Sequence, residues 1–185
     1  TADGYVAGVA LERAILPMVR EEHAESDAEY HYVNRRPLEE SVYGMNDATN
    51  DVTSMLQDRD RHDEKLPLVV LAGTASTVES EDGLEMLGIY DAERVVVDAA
   101  PADPEIADSS EVLLNPDADG LSTGALASSL AATVSPDVRE EIAHLPAVSY
   151  WEDTPESYLD AAREAGFDAE AVTELREAVA LEAYY

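Results

Sequence analysis

Apolar side chains recur along this chain with two different periods, and the alternation of those periods predicts its elements. Over residues 5–22 the apolar positions Val6, Val9, Ala10, Ala14, Ile15 and Val19 repeat at helical spacing, with Pro17 set to kink or end the segment. Further on, Leu66-Pro67-Leu68-Val69-Val70-Leu71 is almost continuously apolar, as a strand buried on both faces would be. Residues 81–90 return to helical spacing through Leu84, Leu87 and Ile89. Arg94-Val95-Val96-Val97-Asp98 is a second buried strand and Glu111-Val112-Leu113-Leu114-Asn115 a third. Residues 121–134 form a helix of small residues suited to close packing, and helices are expected over 136–144, 155–165 and 168 to the end. Two weaker signals are a short strand at 31–34 and, at 51–63, a loose polar helix or a mobile connection.

Strand and helix thus alternate at the spacing of β-α-β units, which argues for a parallel sheet covered by helices. The expected fold class is α/β, a parallel sheet flanked by helices, with a helical C-terminal portion. A length of 185 residues suits one domain, with an α/β core over roughly 1–135 and the helical portion over 136–185. The chain opens at Thr1-Ala2-Asp3-Gly4 and stops in a helical pattern at Tyr184-Tyr185, so a fragment of a longer protein is expected.

Ligands of open parallel sheets sit beyond the carboxyl ends of the strands. Three segments fall there: Gly73-Thr74-Ala75-Ser76, Asp98-Ala99-Ala100 and Asn115-Pro116-Asp117. Asp98 is the sharpest feature, either a metal or catalytic carboxylate or the residue that forms its own turn. Ser76 and Asn115 are candidate substrate contacts. Asp3 beside Gly4 is a metal ligand or a helix cap, and position alone favours the cap. The four histidines, His23, His31, His62 and His144, have no helical zinc-ligand spacing and read as structural or solvated. The lone tryptophan, Trp151, is in a Tyr-Trp-Glu-Asp cluster that suits core packing, with base stacking as the alternative. Neither phosphate-loop signature nor a nucleophile elbow is present.

Composition then narrows the classes. With no cysteine, disulfides, thiolate metal sites and a cysteine nucleophile are excluded. No run approaches the roughly 18 apolar residues of a membrane span. Asp and Glu number 41 against 11 Lys and Arg, a net charge of -30, and they alternate with Ala, Val and Leu along the whole length. That texture predicts a cytoplasmic protein adapted to concentrated salt, where carboxylates keep the surface hydrated. The charge then reports the solvent more than the partner.

Asp3-Gly4 at a helix start, the small-residue turn after the first strand, and Val-Val-Val-Asp98 together resemble the DHH phosphoesterase superfamily, closest to the RecJ-like single-strand exonucleases of halophilic archaea. Pro101-Ala102-Asp103-Pro104 and the run from Val112 to Pro116 resemble the same proteins. The resemblance implies a site for two Mn²⁺ or Mg²⁺ ions that activates water against a phosphodiester, with single-stranded nucleic acid or a small phosphodiester as substrate. It carries over Asp3 and Asp98 as catalytic and metal-binding residues, with Asp153 for a further motif. Thr1 stands where the family's first Asp would be, and Ala99 and Ala100 replace its two histidines. Activity is therefore expected to be weak or lost, with no cofactor if the ligands are gone. The alternatives are a non-catalytic scaffold that docks nucleic acid or a protein partner, and a phosphoester site built on helix N-termini alone. No membrane partner is expected.

Overall fold

A computed structural model describes residues 1–22, 68–116 and 120–183. The strand expected at 31–34, the polar helix at 51–63 and the Leu66-Pro67 start of the first strand lie outside the described residues. Two compact units are present: Leu38–Gly120 is one, and Thr1–Pro37 with Leu121–Tyr185 is the other.

The first of these holds the sheet. Strands β1 (Leu68–Ala72), β2 (Glu93–Val97) and β3 (Val112–Leu114) are all parallel and lie in the order β1-β2-β3. Val70 is paired with Val95, and Val95 with Val112, so the apolar runs align across the sheet. β-branched residues dominate β2, and they suit a pleated surface buried by its neighbours. Helix α1 (Ala2–Glu22) belongs to the other unit, and the crossover from β1 to β2 is helix α2 (Glu81–Ile89). Its Leu84 and Leu87 are fully buried with Leu71, Ala75, Ala92, Val96 and Ile106. Each such leucine contributes about 1.5–3 kcal/mol by leaving water. The crossover from β2 to β3 differs from the expected alternation. It holds only the 3-10 turn Pro104–Asp108, which drops Ile106 into the core.

One ion pair fastens the far ends of these elements. The Arg94 backbone N–H and its Nε donate to Glu111 Oε2 at 2.5 and 3.0 Å, and Nη2 to Oε1 at 2.5 Å. Nη1 donates to the Leu84 carbonyl at 2.9 Å, and a side chain on Gly88 would meet that nitrogen at 2.7 Å. These bonds from Arg94 hold the Glu111 carboxyl at about 2, below the ordinary 4.5. A carboxylate depressed in the folded state contributes stability above its ordinary value and loses it as pH falls toward the folded value. With solvent screening at this half-exposed pair, the contribution is about 1 kcal/mol. Glu111→Gln is therefore expected to flatten the loss of thermal stability between pH 4.5 and 2, read by melting at stepped pH.

The other unit is helical. Helix α1 spans Ala2–Glu22, α3 Thr123–Val134, α4 Leu145–Ser149, α5 Glu156–Glu164 and α6 Ala169–Glu182. Thr1 caps α1, its Oγ1 accepting the Gly4 N–H at 3.1 Å. Pro17 neither ends α1 nor starts a new element. The buried face of α1 is Val6, Ala7, Ala10, Leu11 and Ala14, turned from the expected stripe toward Ala7 and Leu11. It packs on the small residues of α3, among them Gly124, Ala127, Ser128 and Ala131. The helix expected over 136–144 is a correction: 3-10 turn Pro136–Val138 leads through turns into α4. Ala143 and Leu145 N–H donate to the carbonyls three residues back, Glu140 and Ile142, rather than four back, the tighter bonding of turns rather than of an α-helix.

Candidate functional site

The carboxyl ends of the three strands converge on Asp98. Hydrogen bonding continues past the strands, with Gly73 N–H donating to the Val97 carbonyl at 2.9 Å and Asp98 N–H to that of Leu114 at 3.1 Å. The chain then turns sharply. Gly73 and Ala75 both have positive φ, 69° and 70°, and the alanine accepts this left-handed strain in a buried position. The turn sets Ser76 beneath Asp98, the two residues being 3% and 4% exposed. Ser76 Oγ donates to Asp98 Oδ2 at 2.8 Å, and the Ala100 N–H donates to Oδ1 at 3.0 Å. Asn115 Nδ2 closes the far side, donating to the carbonyls of Asp98 and Ala100 at 2.5 Å each.

Ser76, Asp98 and Asn115, expected separately from three strand ends, are thus one hydrogen-bonded cluster. Asp103, which the sequence marks only as part of the Pro101–Pro104 resemblance, joins them. Its N–H donates to the Ser76 carbonyl at 2.9 Å, and its Oδ2 accepts the Val78 N–H at 2.7 Å. The available signal was an Asp directly before Pro104, a common turn former.

Asp3 belongs to the helical unit, and its carboxylate is engaged there. Oδ2 accepts the Thr123 N–H at 2.8 Å and Oδ1 the Gly124 N–H at 2.7 Å. These are first-turn N–H groups of α3, which have no partner inside a helix. Ser122 satisfies a further one, its Oγ accepting the Ala125 N–H at 3.0 Å. Asp3 is therefore a cap, but for a helix some 120 residues away rather than its own. Asp3→Ala is expected to cost about 1–2 kcal/mol, read by chemical denaturation, with Asp3→Asn milder because one acceptor survives. Asp153 lies on an exposed turn with φ 51°.

A two-ion centre needs several oxygen or nitrogen donors around ions roughly 3.5–4 Å apart. Among the described residues no three His, Asp or Glu side chains are grouped to hold a metal ion. Asp98 has one oxygen on a serine hydroxyl and one on a backbone N–H, beside two alanines that offer no side-chain donor. The described residues do not fit a two-metal group. His144, the one described histidine, stacks on Phe167 with centroids 4.1 Å apart, and burial lowers its pKa.

No family model matches the chain. An uncharacterized protein of Methanocaldococcus jannaschii is 32% identical over 157 residues, which is 80% of this chain and 21% of that protein. A solved structure described as the DHH domain of a member of a family of ribosomal proteins matches at a TM-score of 0.85 and 31% identity. That match covers 100% of this chain and 46% of the other. The chain therefore spans about a fifth of the curated relative and under half of the solved one. The fold is the DHH-type α/β fold, and the likeness supports a place among DHH-superfamily domains.

Proposed function

We propose that this chain is a RecJ-like DHH phosphoesterase domain, directed at phosphodiesters of single-stranded nucleic acid, in which metal-dependent hydrolysis is weak or lost. The observation that carries the reading is the state of its two motif-matching carboxylates. Asp3 caps α3 and Asp98 holds Ser76 and Ala100, while Thr1, Ala99 and Ala100 stand where further ligands are expected. A single hard cation at Asp98, Mn²⁺ or Mg²⁺ with most of its waters kept, is the most that such a donor set supports. Asp153 remains a weaker candidate ligand, and Ser76 and Asn115 candidate substrate contacts.

The test is release of label from a single-stranded oligonucleotide with Mn²⁺ in multi-molar KCl. Near-blank rates are expected for the native chain, rising when His replaces both Ala99 and Ala100. Brisk turnover by the native chain would refute weakened catalysis. The missing ligands equally favour a second reading, a non-catalytic module that docks nucleic acid or a protein partner through the same fold. Retention of an uncut oligonucleotide supports it.

The charge of -30 fits a high-salt cytoplasm. Melting temperature is expected to rise steeply with KCl, and a flat response would argue against that setting. No described helix is long and apolar enough to cross a membrane.

A further inference from the structure

The helical unit carries a second feature that the strand-end cluster does not explain. A pocket of about 110 Å³ is lined by Trp151, Thr173, Arg176 and Glu177. Trp151 is the only tryptophan of the chain and is 63% exposed, so the packing role expected for it is not the one it has. It stands on the turn that Asp153 completes in left-handed conformation, ahead of α5.

Arg176, on α6, is held in place from behind. Its Nε and Nη2 donate to the Ala147 carbonyl at 3.3 and 2.7 Å, and Nη2 donates to Thr154 Oγ1 at 2.6 Å. All of these acceptors are uncharged, and among the described residues no carboxylate forms an ion pair with it. Arg13, Arg94 and Arg163, by contrast, each pair with a carboxylate. In a chain with 41 acids, a fixed, partly desolvated guanidinium without an acid partner is a cation arranged for an anion from outside.

We propose that this pocket binds one nucleotide unit of a single strand, the base stacking on Trp151 and its phosphate on Arg176. An indole face takes any base, and the Nη1 amino group of Arg176, which those bonds leave over, donates to a phosphate oxygen. Glu177 also lines the pocket, and its negative charge opposes the phosphate. The choice of a strand as ligand rests on the proposed function; the pocket chemistry does not.

Trp151 emission, excited at the red edge to spare the tyrosines, reads this pocket alone. The titrants are an adenine oligodeoxynucleotide, AMP and inorganic phosphate, with EDTA present and no divalent ion. Saturable quenching by the oligonucleotide and AMP, and none by phosphate, is the expected result. Trp151→Leu is expected to weaken binding of a labelled oligonucleotide roughly 10- to 100-fold with the circular dichroism unchanged. Glu177→Gln, which leaves the bonds of Arg176 in place, is expected to tighten it. No quenching by either nucleotide ligand in a folded protein overturns the proposal, as does unchanged affinity in Trp151→Leu. Quenching by AMP but not by the oligonucleotide overturns the assignment to a strand. Hydrolysis is not read, so this test and the one for phosphoesterase activity fail separately.

Discussion

Asp98→Ala is expected to destabilise the protein by roughly 2–4 kcal/mol, measured by chemical denaturation in concentrated KCl without divalent ions. The carboxylate is 4% exposed and accepts from Ser76 Oγ and the Ala100 N–H. Truncation leaves a buried hydroxyl and a turn N–H without acceptors, and each such loss costs about 1–3 kcal/mol. It also frees the 98–100 turn that Asn115 holds through two carbonyls. Asp98→Asn is expected to be milder, because its amide oxygen still accepts from Ala100 and its NH₂ can donate to Ser76. A carboxylate reserved for a metal would behave the other way. Removing it from the metal-free protein would leave stability unchanged or raise it by relieving acid repulsion. Equal stability of Asp98→Ala and the native chain would therefore contradict the structural role.

Gly124→Ala is the second large effect, a net loss of about 1–2 kcal/mol. A β-carbon at this position would stand 2.5 Å from Ser149 Cβ, 3.0 Å from Val6 Cγ1 and 3.1 Å from Asp3 Oδ1. Overpacking of that kind costs typically 1–3 kcal/mol and occasionally more, against about 0.8–1 kcal/mol gained in helix propensity. The nearest atom is a Cβ fixed to backbone, so no side-chain rotation relieves it. The third contact links packing to the cap, since pushing Asp3 away loosens its bonds to Thr123 and Gly124. Ser149→Gly in the same chain is expected to restore part of the loss. A neutral or stabilising Gly124→Ala would mean that α1, α3 and α4 are not this closely packed.

The sheet was legible because each strand is written as an unbroken apolar run, although the burial expected of all three is reached only toward the ends of β1 and β2, and no residue of β3 is buried. The edge cluster was legible for the same reason: Asp98 and Asn115 follow directly on such runs and Ser76 comes one short turn after another, so a parallel register brings them together. What could not be read depends on distant partners. Asp3 sits where a local cap would sit, but nothing near it in sequence says that its oxygens reach Thr123 and Gly124. The Arg94–Glu111 pair joins residues 17 apart that have no helical spacing to announce them. Residues 136–144 carry a plausible apolar period, yet their backbone closes into successive turns with bonds three residues back. Trp151 was read from the habit of its residue type, whereas its exposure follows from a tight turn between α4 and α5. The motif departures at Thr1, Ala99 and Ala100 were visible at once, because a missing donor is a matter of identity and needs no geometry.

Mn²⁺ calorimetry on the native chain in multi-molar KCl tests most directly whether a two-metal phosphoesterase centre survives. No binding, or one weakly held ion lost in Asp98→Asn, is the expected result. Two ions bound at micromolar affinity or better would contradict it, because Asp3 and Asp98 would then be serving metals rather than the backbone groups they hold here.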